Sequence, residues 1–395
     1  MCLARPLLRL ILKIFLLSVA LAMALPWITR FLTSPRMAYE DDTAEYWAAG
    51  RLILSGQNPY DLNLVFPLYR QVGHSDRAEI IMWNPPWSLA LVIPLGILPY
   101  HIARTTWFFL QLVVTTQSLN LLSHRIPGGL SCRWLVWLIG LTFYPVIVGF
   151  RGPISFLSLA GTIGALVWIE KRPLLAGMAA AMLMVKPHIT YLAVLALILW
   201  AFAYRRWNFL AGFSGALLGS MLIAMALNPA VLVQYLHAWA HYPPVGWATA
   251  TVGGLLRFFL GPEHFALQFV APFLGLLWFA LYFIHHRNRW VWTEQFPMLA
   301  LVSVATTAYG WIADFQPALV GLLPAVFQLG MSPRSWVSVA LLITYGLIQV
   351  VLFTTPFDQL WYFWLGPAML VWFLLARRHL KSPLFLEDRP DETAH

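Results

Sequence analysis

The sequence predicts an all-α polytopic membrane protein, and three observations support that fold class. Of the 395 residues, 60% are hydrophobic and only 10% are charged, whereas a soluble globular domain carries about 25% charged residues. The mean hydropathy is +0.71. Apolar segments also follow one another along the chain with short polar breaks between them, as they do in proteins built of membrane-spanning helices. A chain this poor in charge cannot cover its own surface in water, so a soluble fold is excluded.

The first apolar run, residues 7–25, is predicted to be a retained signal-anchor helix. Basic residues precede and interrupt it, and no small-residue cleavage site follows at a suitable place. The positive-inside rule puts its N-terminus in the cytoplasm, so residues 33–84 are predicted to form a large first extracytoplasmic loop. That loop holds seven of the chain's 16 acidic residues, four arginines and no lysine.

Twelve further apolar segments are predicted to be helical. Their bounds are 86–98, 105–122, 134–149, 153–169, 173–186, 189–204, 208–227, 265–285, 295–313, 316–329, 335–353 and 359–376. Several are shorter than the roughly 20 residues that a perpendicular crossing needs, and Pro and Gly residues interrupt them. Because the backbone of such segments must be covered by protein or line a water-filled cavity, we expect the protein to contain a cavity.

Clusters of basic residues give the predicted orientation of these helices. The clusters lie at 170–172, 205–206, 285–289, 334 and 377–381. All of them fall on the cytoplasmic side if the apolar segments alternate in direction. The other side then holds Arg151, Lys186 to His188, Asp314, Asp358 and a second extracytoplasmic loop, 228–262.

With both termini in the cytoplasm the number of crossings must be even, although 13 apolar segments are present. We therefore expect one of them, 86–98, to be re-entrant or half-spanning, which leaves about 12 transmembrane helices. No internal repeat is visible, so residues 1–386 are predicted to form a single transmembrane domain. Residues 387–395 are predicted to be a disordered cytoplasmic tail.

The acidic run in the first outer loop allows two interpretations. Asp41 or Asp42 can cap the N-terminus of a helix, with Glu45 at the third position of a capping box and Gly56 close to the helix end. Alternatively, one of the two aspartates is the base of an active site, because a partly desolvated carboxylate at the membrane surface is suited to take a proton from a hydroxyl group.

Three basic residues on the predicted outer side are candidate ligands for a phosphate group. Lys186 interrupts the apolar run 182–191, and an ionisable residue in a membrane segment favours a functional role. The alternative is a lysine whose ammonium group extends to the membrane interface. His188 is a further hydrogen-bond donor, and Arg151 is either a second cation of the site or an ordinary loop arginine.

Asp314 lies in a polar break between two apolar segments. It either binds sugar hydroxyl groups, with Trp311 stacking on a sugar ring, or caps a helix. His237 and His241 are spaced to share a helix face, but no carboxylate or cysteine joins them at ligand spacing, so no metal site is predicted. The two cysteines of the chain lie far apart and do not predict a disulfide framework.

A series of motifs occurs in the same order as in one known family. They are Asp42-x-x-x-Tyr46 with Ala49-Gly50, Gly56-x-Asn58-Pro59-Tyr60-Asp61, Trp83-Asn84-Pro85-Pro86-Trp87, Gly149-x-x-Gly152, Ala176-Gly177 before Lys186-Pro187, and Trp311-x-x-Asp314-Phe315-Gln316. On these residues the chain resembles the polyprenyl-phosphate-mannose-dependent mannosyltransferases of glycosyltransferase family 87, which are membrane enzymes of the GT-C fold. Members often carry a Gly-Gln pair where this chain has Gly149-Phe150-Arg151-Gly152-Pro153, so no role of that glutamine carries over.

The resemblance implies an inverting enzyme that moves a hexose, mannose, from a polyprenyl-phosphate donor to an extracytoplasmic glycan or glycolipid acceptor. The enzyme would lie in a bacterial inner membrane with its active site outside. GT-C enzymes place the catalytic base in the first outer loop, where Asp42 matches and Asp41 is its adjacent rival. The other predicted site residues are Lys186, His188 and Arg151 for the donor phosphate, and Asp314, Trp311, Tyr46 and Tyr60 for sugar or acceptor.

The predicted partners are the lipid-linked donor, the acceptor and membrane lipids. No cofactor or metal is expected, because polyprenyl phosphate leaves without a nucleotide. The net charge of +9 does not predict nucleic-acid binding, since the basic residues sit in short groups between apolar runs.

Two other functions are compatible with a polytopic chain. A transporter or flippase of lipid-linked sugars would share the broken segments and the buried lysine, and it should show inverted repeats and a charge at the membrane midplane. A polysaccharide polymerase or ligase would concentrate arginines in a large late outer loop. The acids of this chain cluster in the first loop instead, which favours the glycosyltransferase.

Overall fold

The computed structural model describes residues 42–73, 81–242, 245–331, 335–354, 358–380 and 382–386. Within these residues the regular structure is helical and no strand occurs, which confirms the predicted all-α class. The predicted signal-anchor run 7–25, Asp41 and the tail 387–395 lie outside the described residues.

Seventeen α-helices lie within the described residues, numbered here in chain order. They are α1 Thr43–Leu54, α2 Leu62–Gln71, α3 Leu89–Ile97, α4 Tyr100–Ser123, α5 Arg133–Leu141, α6 Tyr144–Gly149, α7 Ser155–Trp168, α8 Pro173–Ala181, α9 Tyr191–Ala203, α10 Trp207–Leu227, α11 Val231–His241, α12 Val252–Leu260, α13 Val270–His286, α14 Trp292–Ala305, α15 Leu319–Met331, α16 Trp336–Thr354 and α17 Leu365–His379. Short 3₁₀ helices are Pro86–Ser88, Met182–Val185, Phe265–Phe269, Arg287–Arg289, Ile312–Ala318 and Gln359–Tyr362.

Five helical stretches among the described residues are long and apolar enough to cross a membrane. They are Trp207–Leu227, Phe265–Arg289, Ile312–Met331, Trp336–Thr354 and Gln359–His379. Shorter apolar stretches are Pro86–Ile97, Ser155–Trp168, Pro173–Val185 and Tyr191–Ala203. This set of helices supports a membrane protein, while the total of about 12 crossings stays a prediction.

The predicted segments 134–149 and 295–313 are both interrupted by residues that are not helical. The segment 134–149 divides into α5 and α6, with Pro145 in the first turn of α6, where proline is tolerated because its missing N–H has no helical acceptor there. The prediction of one segment over 295–313 is wrong, because α14 ends at Ala305. The Thr307 hydroxyl lies within hydrogen-bond distance of the carbonyl groups of His188 and Tyr309 and can donate its one proton to either, and such side-chain bonds compete with helix formation.

The segment 86–98 forms a 3₁₀ turn followed by α3, a helix of nine residues. A helix of this length extends about 14 Å, well short of the roughly 30 Å thickness of the hydrocarbon core. Helix α3 packs closely on α1. A Cβ atom on Gly50 would lie 2.5 Å from the Val92 carbonyl oxygen, and one on Gly96 would overlap the backbone of Gly50 and Arg51. The small pair Ala49-Gly50 therefore permits this helix crossing.

Gly96→Ala is expected to destabilise the protein by about 1–3 kcal/mol, because the added methyl group meets backbone atoms that have no rotamer to change. The measurement is the thermal midpoint of the purified protein in detergent. Gly215→Ala in α10 is the matched control, since a Cβ there meets nothing within 4 Å. Equal midpoints for the two variants would contradict the predicted tight crossing.

Buried apolar side chains form two clusters, and the turn that carries Lys186 lies between them. The smaller cluster includes residues of α1, α2 and α3 together with Val185. The larger cluster includes Ile189 and most of the helices from α5 onward. The turn from Lys186 to His188 is thus held by packed protein on both sides.

Candidate active site

Most of the predicted site residues line one cavity. Its volume is about 630 Å³, within the range of roughly 300–1,000 Å³ that small-molecule sites occupy. Polar side chains that line it are Asp42, Glu45, Asn84, Arg151, Lys186, His188, Asp358 and Gln359, and aromatic ones are Trp83, Tyr235, Trp239, Trp247, Tyr309 and Trp311. The cavity is therefore built by parts of the chain that are far apart in sequence.

Lys186 and Asp314 form an ion pair at this cavity. The Lys186 Nζ atom lies 2.6 Å from Asp314 Oδ1, and the two side chains are 13% and 1% exposed. Asp314 Oδ1 also accepts from the Ser155 hydroxyl at 2.5 Å, and Oδ2 accepts from the Trp311 backbone N–H at 3.0 Å. Both carboxylate oxygens are engaged by protein, so Asp314 fixes the lysine instead of presenting a free oxygen to the cavity.

The end of a 3₁₀ helix presents Lys186 to the cavity. Residues Met182–Val185 form this helix, and Pro187 cannot continue it because proline has no N–H to donate. Two side chains of the Trp83–Trp87 segment bond its carbonyl groups: Asn84 Nδ2 donates to Val185 O at 2.8 Å and Trp87 Nε1 to Met184 O at 2.9 Å. The motifs Trp83–Trp87 and Lys186-Pro187 are thus parts of one local structure.

Asp42 and Glu45 both line the cavity from the first turn of α1. Asp42 is the N-cap residue of α1, but its side chain makes no capping hydrogen bond to the helix, so the predicted capping box does not form through Asp42. Burial raises the pKa of Glu45 well above its usual value, and the neighbouring Asp42 charge raises it further, while the Lys186 charge opposes this shift. The acidic pair therefore keeps a proton to a higher pH than two ordinary carboxylates would.

The raised pKa of Glu45 predicts a pH dependence of donor binding. Glu45 keeps its proton to a higher pH than an ordinary glutamate, and its deprotonation adds a negative charge to a cavity that would receive an anionic phosphate group. We expect the donor KM to rise with pH above the usual titration range of a glutamate, and to change less in Glu45→Gln. The measurement is the donor KM against pH, with Glu294→Gln, an exposed acid outside the cavity, as control. Identical profiles for wild type and Glu45→Gln would contradict the prediction.

Arg151 and His188 line the same cavity as Lys186. The loop of Arg151 is anchored to α4, since Trp107 Nε1 donates to Gly152 O at 2.6 Å and Gln111 Nε2 to Pro153 O at 3.0 Å. Burial lowers the pKa of His188 to about 4, so its ring is neutral at pH 7. His188 can thus offer a hydrogen bond, whereas the cationic groups are Lys186 and Arg151.

The two tyrosines predicted as sugar contacts lie behind the cavity wall. Tyr46 is 1% exposed, and its hydroxyl accepts from the Ile154 backbone N–H at 3.2 Å. Tyr60 is also buried, with its ring 5.3 Å from the ring of Tyr235. Tyr235 lines the cavity and the other two do not. Trp311 does line it.

Sequence reasoning did not single out most of the aromatic residues of the cavity. Trp83, Tyr235, Trp239, Trp247 and Tyr309 all line it. With 20 tryptophans in the chain, a tryptophan alone carries little information. The usable signals were the Trp83–Trp87 motif and the spacing of Tyr235 and Trp239, which places them on one helix face.

Among the described residues no group of three or more His, Cys, Asp or Glu side chains is arranged to hold a metal ion. The rings of His237 and His241 stack on each other at a centroid distance of 3.7 Å, and His241 Nδ1 bonds the His237 carbonyl. This pair lies on α11 but does not line the cavity.

Comparison with known proteins gives one positive finding. No curated protein and no solved structure matches the chain. The family model of glycosyltransferase family 87 matches residues 83–313. The matched region includes Arg151, Lys186 and His188 and ends one residue before Asp314, whereas Asp42 precedes it. Because the match covers more than half of the sequence, this chain belongs to glycosyltransferase family 87.

Proposed function

We propose that the protein is an inverting glycosyltransferase that moves a hexose, mannose, from a polyprenyl-phosphate donor to an extracytoplasmic glycan or glycolipid acceptor. The observation that carries this proposal is the shared cavity, in which carboxylates from the start of α1 meet a buried lysine and an arginine. Family membership supports sugar transfer, and the cations support a phosphate leaving group.

In the proposed reaction Asp42 takes the proton of the acceptor hydroxyl as its oxygen attacks the anomeric carbon of the donor sugar. The bond from that carbon to the phosphate oxygen breaks on the opposite face, which inverts the configuration. General-base assistance of this kind accelerates a reaction by about 10²–10⁴-fold. Asp41 stays the adjacent alternative for the base.

The leaving polyprenyl phosphate would be held by Lys186, Arg151 and a hydrogen bond from His188. An ammonium group has three N–H donors, and Lys186 gives one to Asp314, which leaves donors for the phosphate. We assign Asp314 the role of positioning Lys186, because its carboxylate is enclosed by Ser155 and Trp311. Because the leaving polyprenyl phosphate carries no nucleotide, the proposed reaction needs no divalent metal, and we propose none.

The proposed placement puts the cavity on the extracytoplasmic side of a bacterial inner membrane, with both termini in the cytoplasm and about 12 crossings. The segments that contribute Arg151, Lys186, Trp247 and Asp358 are all predicted to lie on that side, and all four line the cavity. The donor lipid would lie between helices, where its apolar chain contacts lipid and protein side chains.

The experiment that tests this function uses purified protein in detergent with two radiolabelled donors, polyprenyl-phosphate mannose and nucleotide-linked mannose. The acceptor is a glycolipid extract of bacterial membranes. We expect label to move to a product only from the polyprenyl donor. A flippase only moves the intact lipid between leaflets, so it leaves the label on the lipid carrier. Label that stays on the carrier with every acceptor, or that moves from the nucleotide donor alone, would overturn the proposal.

A further inference from the structure

Six aromatic residues line the cavity next to the charged groups, and together they are called the aromatic wall here. They are Trp83, Tyr235, Trp239, Trp247, Tyr309 and Trp311. They come from the segment before α3, from α11, from the segment before α12 and from the segment between α14 and α15. Aromatic residues from four separate places thus meet around one cavity.

The rings of the aromatic wall contact one another edge to face. Trp83 lies 5.5 Å from both Trp239 and Trp247, at interplanar angles of 73° and 81°. Trp247 lies 5.2 Å from Trp311 and 5.9 Å from Tyr309. In an edge-to-face pair the ring that presents its edge keeps its own faces uncovered by that partner. Aromatic rings that line a cavity suit the apolar C–H face of a pyranose ring.

Hydrogen bonds fix the segment that carries Trp247. The Ala250 N–H donates to the Gly310 carbonyl at 3.0 Å. The buried guanidinium of Arg257 bonds Gln268 Oε1 and Pro262 O, each at 3.0 Å, and also bonds the Val245 carbonyl. Residues on either side of Trp247 are thus tied to the protein, so its ring is positioned before any ligand binds.

We propose that the aromatic wall is a saccharide subsite that binds a pyranose ring of the acceptor. This inference rests on the proposed function. The donor has a phosphate that the cations can hold, whereas the terminal sugar ring of the acceptor carries no group for these cations and must gain its affinity from the rest of the cavity lining. The acceptor is then a glycan or glycolipid that ends in a sugar, and not a protein hydroxyl or a simple lipid alcohol.

The test compares Trp247→Ala with Trp361→Ala in the full-length protein. Trp361 is 43% exposed, contacts Phe258 and does not line the cavity. We expect Trp247→Ala to raise the acceptor KM by about tenfold and to leave the donor KM unchanged. Trp361→Ala should change neither constant. A rise in the donor KM alone would assign the wall to the donor sugar and overturn the inference, as would unchanged constants in Trp247→Ala.

A binding measurement separates this inference from the proposed function. Saturation-transfer NMR with methyl α-mannoside reports ring contacts without any turnover. We expect saturation of the ring protons in wild type and in Trp247→Phe, and its loss in Trp247→Ala at an unchanged thermal midpoint. If no transfer activity is found but this pattern appears, the subsite stands and the function fails. If transfer occurs but the three proteins give equal saturation, the subsite fails.

Discussion

Lys186→Met is expected to lower sugar transfer by about 100-fold or more, because it removes a preorganised cation from the departing phosphate. It also leaves the buried Asp314 carboxylate without its ion-pair partner, and breaking a buried pair costs about 3–5 kcal/mol. The transfer rate and the thermal midpoint should therefore both fall. Lys171→Met, at an exposed lysine outside the cavity, is the control and should change neither.

The double variant Lys186→Met with Asp314→Asn separates the two effects. An asparagine has no charge to leave unpaired, and its carbonyl can still accept from Ser155 or Trp311, which bond the aspartate in the wild type. We expect the thermal midpoint to recover most of its loss while transfer stays at the level of Lys186→Met. Recovery of transfer together with stability would show that the lysine serves the fold alone, and the assignment of Lys186 to the phosphate would be withdrawn.

Asp42→Asn is expected to reduce kcat by about 10²–10⁴-fold, because the acceptor hydroxyl loses its base. The thermal midpoint is measured alongside kcat, so that a loss of turnover is distinguished from a loss of folded protein. Asp61→Asn is the matched control: Asp61 caps α2 through a bond from the Asn63 N–H and does not line the cavity. That variant should transfer sugar at the wild-type rate.

Asp41→Asn completes this comparison. A full loss in Asp41→Asn with normal turnover in Asp42→Asn would move the role of base to Asp41. Normal turnover in both variants, with each protein correctly inserted, would remove both acids from the mechanism. Glu45 would then be the acid to test, because it lines the same cavity.

Where an apolar run is long and uninterrupted, its bounds predicted the helix closely. The segments 208–227 and 335–353 correspond in this way to α10 and α16. Helix bounds were not predictable where local hydrogen bonds end a helix within an apolar run. Thr307 is such a case, because its hydroxyl bonds carbonyl groups that sequence reading could not locate. Hydropathy reports how apolar the residues of a segment are, and it gives no information on which hydrogen bonds the backbone of that segment makes.

The charged residues of the site were easier to predict than their contacts. Lys186 and Asp314 stand out because ionisable groups are costly in an apolar segment, but nothing in one sequence shows that residues 128 positions apart form a pair. The prediction accordingly gave them separate roles. Tyr46 and Tyr60 were predicted as sugar contacts from motifs, and the structure buries both behind the cavity wall.

The wide separation of Lys186 from its partner has a consequence for biogenesis. As the nascent chain leaves the ribosome, residue 186 is inserted well before residue 314 is synthesised. Until then its ammonium group lacks the Asp314 carboxylate, and the acids that precede it in the chain and line the same cavity are Asp42 and Glu45. Burying the lysine without Asp314 would cost several kcal/mol, so we expect the early helices to pack fully around it once the segment of Asp314 arrives.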